Sequence, residues 1–185
     1  MYYKMMKIYF ARHGRTNYND QNLCNGDPSV DVHITELGTQ QAKELADKLH
    51  SMPIDRIFVS EMRRTQQTAK FAQDDHDTPV EIEIAPLLND HCSGFEGKSA
   101  ELLLGAMDAT ENRWTARFND GESIEDMKER VAQFLTELKN RPYDSVLIVT
   151  SGWIIHAAAA LIKHIPNEEA WALDVVQGDY LEMDI

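Results

Sequence analysis

Cysteine is nearly absent. Only Cys24 and Cys92 occur, with no CxxC pair, so neither a disulfide framework nor a thiolate zinc site is expected. Basic residues are also scarce, with 18 Lys and Arg against 31 Asp and Glu and a net charge of −13. Such acidity excludes sequence-independent nucleic-acid binding, which rests on phosphate neutralisation by Lys and Arg, and it disfavours anionic membrane surfaces for the same reason. A phosphate ligand would need its positive charge supplied locally. No apolar run approaches the ~20 residues of a spanning helix, and the longest candidate, Trp153 to Ile162, contains His156. The opening MYYKMMKIYFARHG has Lys4 and Lys7 but no uninterrupted apolar segment before Arg12, so no signal peptide is expected. Repeats and low-complexity tracts are lacking too. The cytoplasm is the expected compartment.

What is present is ordinary for a soluble globular protein: 185 residues, 43% hydrophobic and 26% charged, enough to bury one core. A single domain over residues 1–185 is expected, with a less regular inserted region at about 86–121. Short apolar runs at 7–11 and 54–59 and the run SVLIVT at 145–150 read as strands, and 80–84 as a half-exposed edge strand. Helical spacing marks 36–49 with Thr35 as cap, 61–73 with Ser60 as cap, 98–107, and 123–139 with Ser123 as cap. Gly152 opens a further helix, and residues 172–185 read as two strands around Gly178. Alternation of this kind predicts an α/β protein, a three-layer α/β/α sandwich around a mostly parallel sheet. Its functional groups belong in loops at the carboxyl ends of the strands.

Two strand ends carry unusual chemistry. The first continues as Arg12-His13-Gly14-Arg15-Thr16-Asn17-Tyr18-Asn19. A guanidinium holds phosphate in a fork, and cationic neighbours keep an imidazole neutral and nucleophilic. Gly14 permits a close backbone approach. The second continues as Ser60-Glu61-Met62-Arg63-Arg64, where a helix N-terminus favours anions and an Arg adds a full charge. Either stretch alone reads equally as a charged loop or a solvated helix face. Two Arg-bearing strand ends together point to an oxyanion pocket. Gly97-Lys98-Ser99 mimics a P-loop end but lacks the glycine that motif requires. Asp74-Asp75-His76-Asp77 reads as a solvated loop, so no metal site is expected.

These stretches resemble the histidine phosphatase superfamily, also called the phosphoglycerate mutase-like family. Its RHGxTxxN is matched by Arg12, His13, Gly14, Thr16 and Asn19. Its LTxxGxxQA is similar to the segment from Ile34 to Ala42, and its SxxxRAxQTA to the segment from Ser60 to Ala69, with Thr65 in place of Ala. Its GESxxDxxxRV helix resembles the stretch from Gly121 to Val131. The resemblance spans about Lys7 to Leu161.

The resemblance implies metal-free, cofactor-free phosphoryl transfer on a small phosphorylated substrate. His13 would become phosphohistidine, Arg12 and Arg64 would clamp the phosphate, and Asn19, Thr16, Ser151 and Gly152 would sit on the substrate side. A carboxylic acid would protonate the leaving oxygen. Two departures stand out. The segment Leu87-Leu88-Asn89-Asp90-His91-Cys92-Ser93-Gly94-Phe95-Glu96-Gly97 puts either Asn89 or Asp90 at the acid position, according to its anchor. Asp90 is the expected donor because an amide has no proton to give, and Glu96 is held in reserve. After SVLIVT the family's second active-site His is replaced by Ser151, which implies modest turnover unless His91 or His156 fills the gap. A small phosphatase is the leading expectation. A mutase, or a phosphoester-binding member with weak or lost turnover, is the alternative, and oligomeric state is left open.

Overall fold

Hydrophobic alternation within the strands sets the architecture. In the computed structural model, which describes residues 5–185, one sheet is built from β1 (Lys7–Arg12), β2 (Arg56–Val59), β3 (Ile82–Ile84), β4 (Ser145–Thr150) and β5 (Tyr180–Asp184). Met1 to Lys4, and with them the start of the stretch read as lacking a signal-peptide core, lie outside the described residues. The strand order is β3-β2-β4-β1-β5. All neighbours pair in parallel except β1 with β5.

The helices are α1 (Asn17–Asp20), α2 (Glu36–Leu49), α3 (Arg63–Asp75), α4 (Ala100–Asp108), α5 (Ile124–Lys139), α6 (Gly152–Lys163) and α7 (Asn167–Trp171). Side chains on a strand alternate between faces. Ile8, Phe10, Val146 and Ile148 therefore pack on the α5–α6 side, with Met127, Val131, Ile154 and Ala158. Tyr9, Ala11, Leu147 and Val149 pack on the other side, against Leu45 and Leu49 of α2 and Ala69 and Ala72 of α3. Every residue of β4 is buried, as its unbroken apolar run requires for a central parallel strand. The result is a three-layer α/β/α sandwich.

Register positions the site. Arg12 pairs with Thr150 and Val59 with Val149, so the carboxyl ends of β1, β2 and β4 finish side by side. The His13 N–H donates to the Thr150 carbonyl at 3.0 Å, which sets His13 beside Ser151. Gly14 and Gly38 complete the fit. A Cβ on Gly14 would lie 2.3 Å from the Gly38 carbonyl oxygen, and one on Gly38 would lie 2.1 Å from that of Arg15. The close approach that Gly14 permits is thus to the start of α2.

Three expectations need correction. Residues 172–185 form one strand, not two. Before Tyr180 the backbone serves Arg12, with the Val175 carbonyl accepting from its Nη1 at 2.8 Å and the Gly178 N–H donating to its carbonyl at 2.9 Å. Gly178 turns there at φ +69°. Ser60 does not cap α3, which starts two residues later than expected with Met62 as N-cap. The Ser60 hydroxyl instead lies 2.8 Å from that of Thr65. The helix expected at 98–107 is α4, capped by Ser99, whose hydroxyl accepts from the Glu101 N–H. Short α1 and α7 carry too few periodic positions to be read from sequence.

Candidate active site

At the carboxyl edge of β1 the chain leaves the sheet as His13, which is only 4% exposed. Its Nδ1 lies 2.8 Å from the Gly14 carbonyl oxygen, an acceptor only, so Nδ1 carries the proton. Nε2 is then the lone-pair nitrogen, and it accepts from Arg64 Nε at 3.2 Å. Burial first, and then the Arg64 guanidinium, push the imidazole pKa down to about 3. His13 is therefore neutral at physiological pH.

Arg64 sits in the first turn of α3, nearly fully buried, with every nitrogen engaged. Its Nη1 donates to Asn25 Oδ1 at 2.7 Å, and its Nη2 donates to the Asn25 carbonyl at 3.0 Å and to Asp90 Oδ2 at 2.8 Å. Arg12 approaches from the opposite flank. Its Nη1 is held by Val175, while its buried Nε has no partner among the described residues. Gly152 lies beneath this guanidinium, at a spacing where a Cβ would meet Cζ and Nε at 3.5 Å.

The loop after the turn Pro86–Leu88 separates the two acid candidates. Asn89 faces away: its Oδ1 accepts from the Glu61 N–H at 2.8 Å, and its Nδ2 donates to the Glu61 carboxylate at 2.7 Å. Asp90 faces the cluster. Oδ1 accepts from the Ser151 hydroxyl at 2.6 Å and from the His91 N–H at 2.9 Å. Burial works to raise the Asp90 pKa, but Arg64, the Ser151 hydroxyl and the His91 N–H outweigh it and hold the carboxyl below its ordinary value. In the phosphate-free site Asp90 is thus ionised. Glu96 is spent on its own loop, accepting from the Ser93 N–H at 2.8 Å.

Ser151 is the N-cap residue of α6, but its hydroxyl makes no cap hydrogen bond. Given to Asp90 instead, it leaves the first turn of α6 without a side-chain cap where that helix meets the pocket. Asn19 also lines the pocket; its Oδ1 accepts from the Thr16 N–H, the Thr16 hydroxyl and Gln177 Nε2. Thr16, expected on the substrate side, is instead the buried N-cap of α1 and acts by fixing Asn19. His156 is turned away: its Nδ1 meets the Ala170 carbonyl and its ring stacks on Trp171.

Together these residues border a pocket of about 260 Å³, with Arg12, His13, Asp90, Ser151 and Gly152 giving it a polar and charged part and Leu23, Leu103, Leu104 and Trp153 an apolar one. Sequence reasoning missed Asn25. It stands in an Asn-Gly pair whose only signal is a turn, although Gly26 is required there: a Cβ would lie 2.3 Å from the His91 carbonyl oxygen. Among the described residues no group of three or more His, Cys, Asp or Glu is arranged to hold a metal ion.

Fold and side chains define an α/β protein with an arginine- and histidine-lined pocket at the carboxyl edge of its sheet. The sequence matches the histidine phosphatase superfamily (branch 1) over residues 8–185, and the chain belongs to that superfamily. It is 29% identical to the adenosylcobalamin/alpha-ribazole phosphatase of Escherichia coli over 190 residues, covering 97% of this chain and 90% of that protein. The alpha-ribazole phosphatase of Shigella flexneri superposes with a TM-score of 0.79 at 28% identity, covering 97% of this chain and 91% of that one. A phosphoglycerate mutase from Bacillus anthracis shares the fold alone, with a TM-score of 0.81 at 16% identity over 98% of this chain and 88% of that one. Among the described residues no helix is long and apolar enough to cross a membrane.

Proposed function

We propose that the protein is a metal-independent phosphatase that hydrolyses small phosphomonoesters through a phosphohistidine on His13. The observation that carries this reading is the fixed tautomer of His13: Nδ1–H is tied to the Gly14 carbonyl, and the Nε2 lone pair faces the Arg64 guanidinium. A neutral imidazole of this kind is a ready nucleophile, and the guanidinium beside it is where a phosphoryl group would be gripped. The phosphatase names of relatives covered over nine-tenths of their length support hydrolysis as the reaction class.

The chemistry follows from the contacts. A phosphate entering between Arg12 and Arg64 competes with His13 and Asp90 for the Arg64 donors. That releases the Nε2 lone pair and removes the charge that keeps Asp90 ionised, while the dianion raises the carboxyl pKa further. Nε2 then attacks phosphorus as the P–O bond to the alcohol breaks, and protonated Asp90 gives its proton to the leaving oxygen. In the second step the Asp90 carboxylate takes a proton from water. The oxygen bonds to phosphorus, the P–N bond breaks, and inorganic phosphate leaves. Arg12, Arg64 and the α6 N-terminus supply the charge neutralisation that a metal provides in other phosphoryl-transfer sites.

The test is trapping. Acid-labile label from a ³²P-monoester should appear on the wild type, be absent from His13→Ala, and persist in chelator. Label that survives His13→Ala, or turnover that needs an added metal, overturns the proposal. A second reading, phosphoester binding with little turnover, is favoured by Ser151 at the second His position and by the ionised Asp90. It predicts tight phosphate binding with no phosphoenzyme.

A further inference from the structure

Resting on the phosphatase reading, we propose that the pocket selects phosphomonoesters whose phosphate is their only anionic group, with an uncharged apolar or aromatic alcohol, and rejects alcohols bearing a carboxylate or a second phosphate.

The argument starts from where the cations are. Among the residues lining the pocket, Arg12 is the one Lys or Arg, and it stands at the His13 end. Arg64 stands behind that same end and is bonded to His13. The apolar part of the lining is made by Leu23, Cys24, Ala100, Leu103, Leu104 and Trp153. Ala100, Leu103 and Leu104 have the i, i+3, i+4 spacing of one helix face, so α4 presents an apolar stripe to the cavity. Backbone bridges from Leu23 to Ser99 and from Cys24 to Glu96 fasten this wall to the segment before α4.

Asp90 is the one carboxylate among the lining residues, and Lys98, whose carbonyl accepts from the Cys24 N–H at 2.9 Å, is exposed and does not line the pocket. Burial first, and then Glu96 and Asp90, raise the Cys24 thiol to about 11, so it is a neutral side chain here and adds no charge to this wall. Arg130, the cation behind the Asp90 loop, is committed to Glu122 through Nε at 3.0 Å and Nη2 at 2.7 Å, and to the Leu87 and Asp90 carbonyls. A carboxylate on the alcohol would leave water for a lining that offers no cation besides Arg12. An aromatic ring would instead find Trp153, stacked against His91 with centroids 5.1 Å apart, and the leucines of α4. His91 adds one polar feature. Its Nε2–H donates to the Glu122 carbonyl at 2.9 Å, and its buried Nδ1 has no partner among the described residues, an acceptor suited to a neutral hydroxyl or N–H.

The experiment compares benzyl phosphate with 4-carboxybenzyl phosphate, alkyl esters that differ in one carboxylate. Each is paired with its phosphonate, in which CH₂ replaces the ester oxygen, for binding by calorimetry. kcat/KM and affinity are expected to be at least tenfold lower for the carboxylated member, and Leu104→Arg, at the 40%-exposed rim position, should narrow both ratios. Parity, or preference for the carboxylated phosphonate, overturns the proposal whether or not the esters are hydrolysed. If His13-dependent turnover is absent while the binding ratio holds, the phosphatase reading falls and the selectivity stands. If neither phosphonate binds, both fall.

Discussion

The two parts of the pocket are built in different ways. The His13 end comes from the ordered edge of the sandwich: Arg12 and His13 follow β1, Arg64 opens α3, and Ser151 joins β4 to α6. Arg12, His13 and Ser151 are anchored there by backbone whose register the sheet fixes and Arg64 by the first turn of α3, while Asp90 reaches the same cluster from the loop after Leu88. The apolar part draws on α4, the longest regular element of residues 86–121, together with Leu23, Cys24 and Trp153. Among the lining residues, the cation Arg12 comes from the sheet edge and α4 contributes only apolar side chains. On the proposed reading, the grip on phosphate rests on regular elements and the choice of alcohol on α4 and its flanking loops, which would let one change without the other.

If this division is right, damage to the sheet-edge end should be the more severe. His13→Ala is expected to cost on the order of 10⁴-fold or more in kcat/KM on every ester, with no phosphoenzyme trapped. Arg64→Ala comes next. It removes the partner of His13 Nε2, both bonds to Asn25 and the ion pair to Asp90. Leaving Asp90 unpaired in a partly buried site should cost about 3–5 kcal/mol in urea unfolding, with on the order of 10³-fold in turnover. Arg64→Lys should not rescue it, because one ammonium cannot reproduce the fork. Rescue by Lys would mean that charge alone, not geometry, operates at this end.

The sequence revealed the two parts unequally. β4 and α2 were legible to the residue because apolar spacing and a Thr35 cap agree, and the motif at the end of β1 singled out His13 by residue type and order alone. Asn89 and Asp90 were not separable that way. Their loop has no period to set its phase, and what turns one out and the other in is a pair of tertiary bonds from Asn89 to Glu61, 28 residues away. Asn25 was invisible for a similar reason, since its role depends on Gly26 lying against His91 and Cys92. The last fourteen residues misled because Gly178 spends its backbone on Arg12 rather than on a second strand.

Acid should act through the same sheet-edge cluster. The folded-state pKa of His13 is about 3, below its ordinary 6.5, so the unfolded chain binds a proton there more readily than the folded one. The stabilisation from this neutral, buried ring is complete above pH 6.5 and is lost as pH falls toward 3. Asp90, also depressed, adds stability above its ordinary carboxylate value that is lost at still lower pH. Stability from urea titrations should therefore fall on acidification below pH 6.5, by no more than about 1.4 kcal/mol per pH unit from this one proton. The slope should be shallower in His13→Ala. An unchanged slope would place the linkage elsewhere.

Asp90→Asn should slow alkyl esters on the order of 10²- to 10³-fold while leaving aryl esters, whose oxygen departs without a proton, much less affected. Equal loss on both would remove Asp90 from proton donation and leave it as an anchor for Arg64.

Ser151 gives the smallest expected effect and the sharpest sign. Its hydroxyl donates to Asp90 at 2.6 Å, so it favours the ionised carboxyl, whereas donation to the leaving oxygen needs the protonated one. Removing that hydrogen bond in Ser151→Ala raises the Asp90 pKa, and the alkaline limb of kcat for an alkyl ester should move to higher pH. If holding Asp90 ionised is all that Ser151 does, the rate at neutral pH is unchanged or rises by up to about tenfold. If the hydroxyl also reaches the phosphoryl oxygens in the transition state, the same substitution lowers kcat on the order of ten- to a hundredfold at every pH, without moving the limb upward enough to compensate. The pH–rate profiles of wild type and Ser151→Ala on benzyl phosphate separate the two. An alkaline limb that does not move would show that Asp90 is not the group titrating there, and would shift the search for the proton donor to His91, which also lines the pocket.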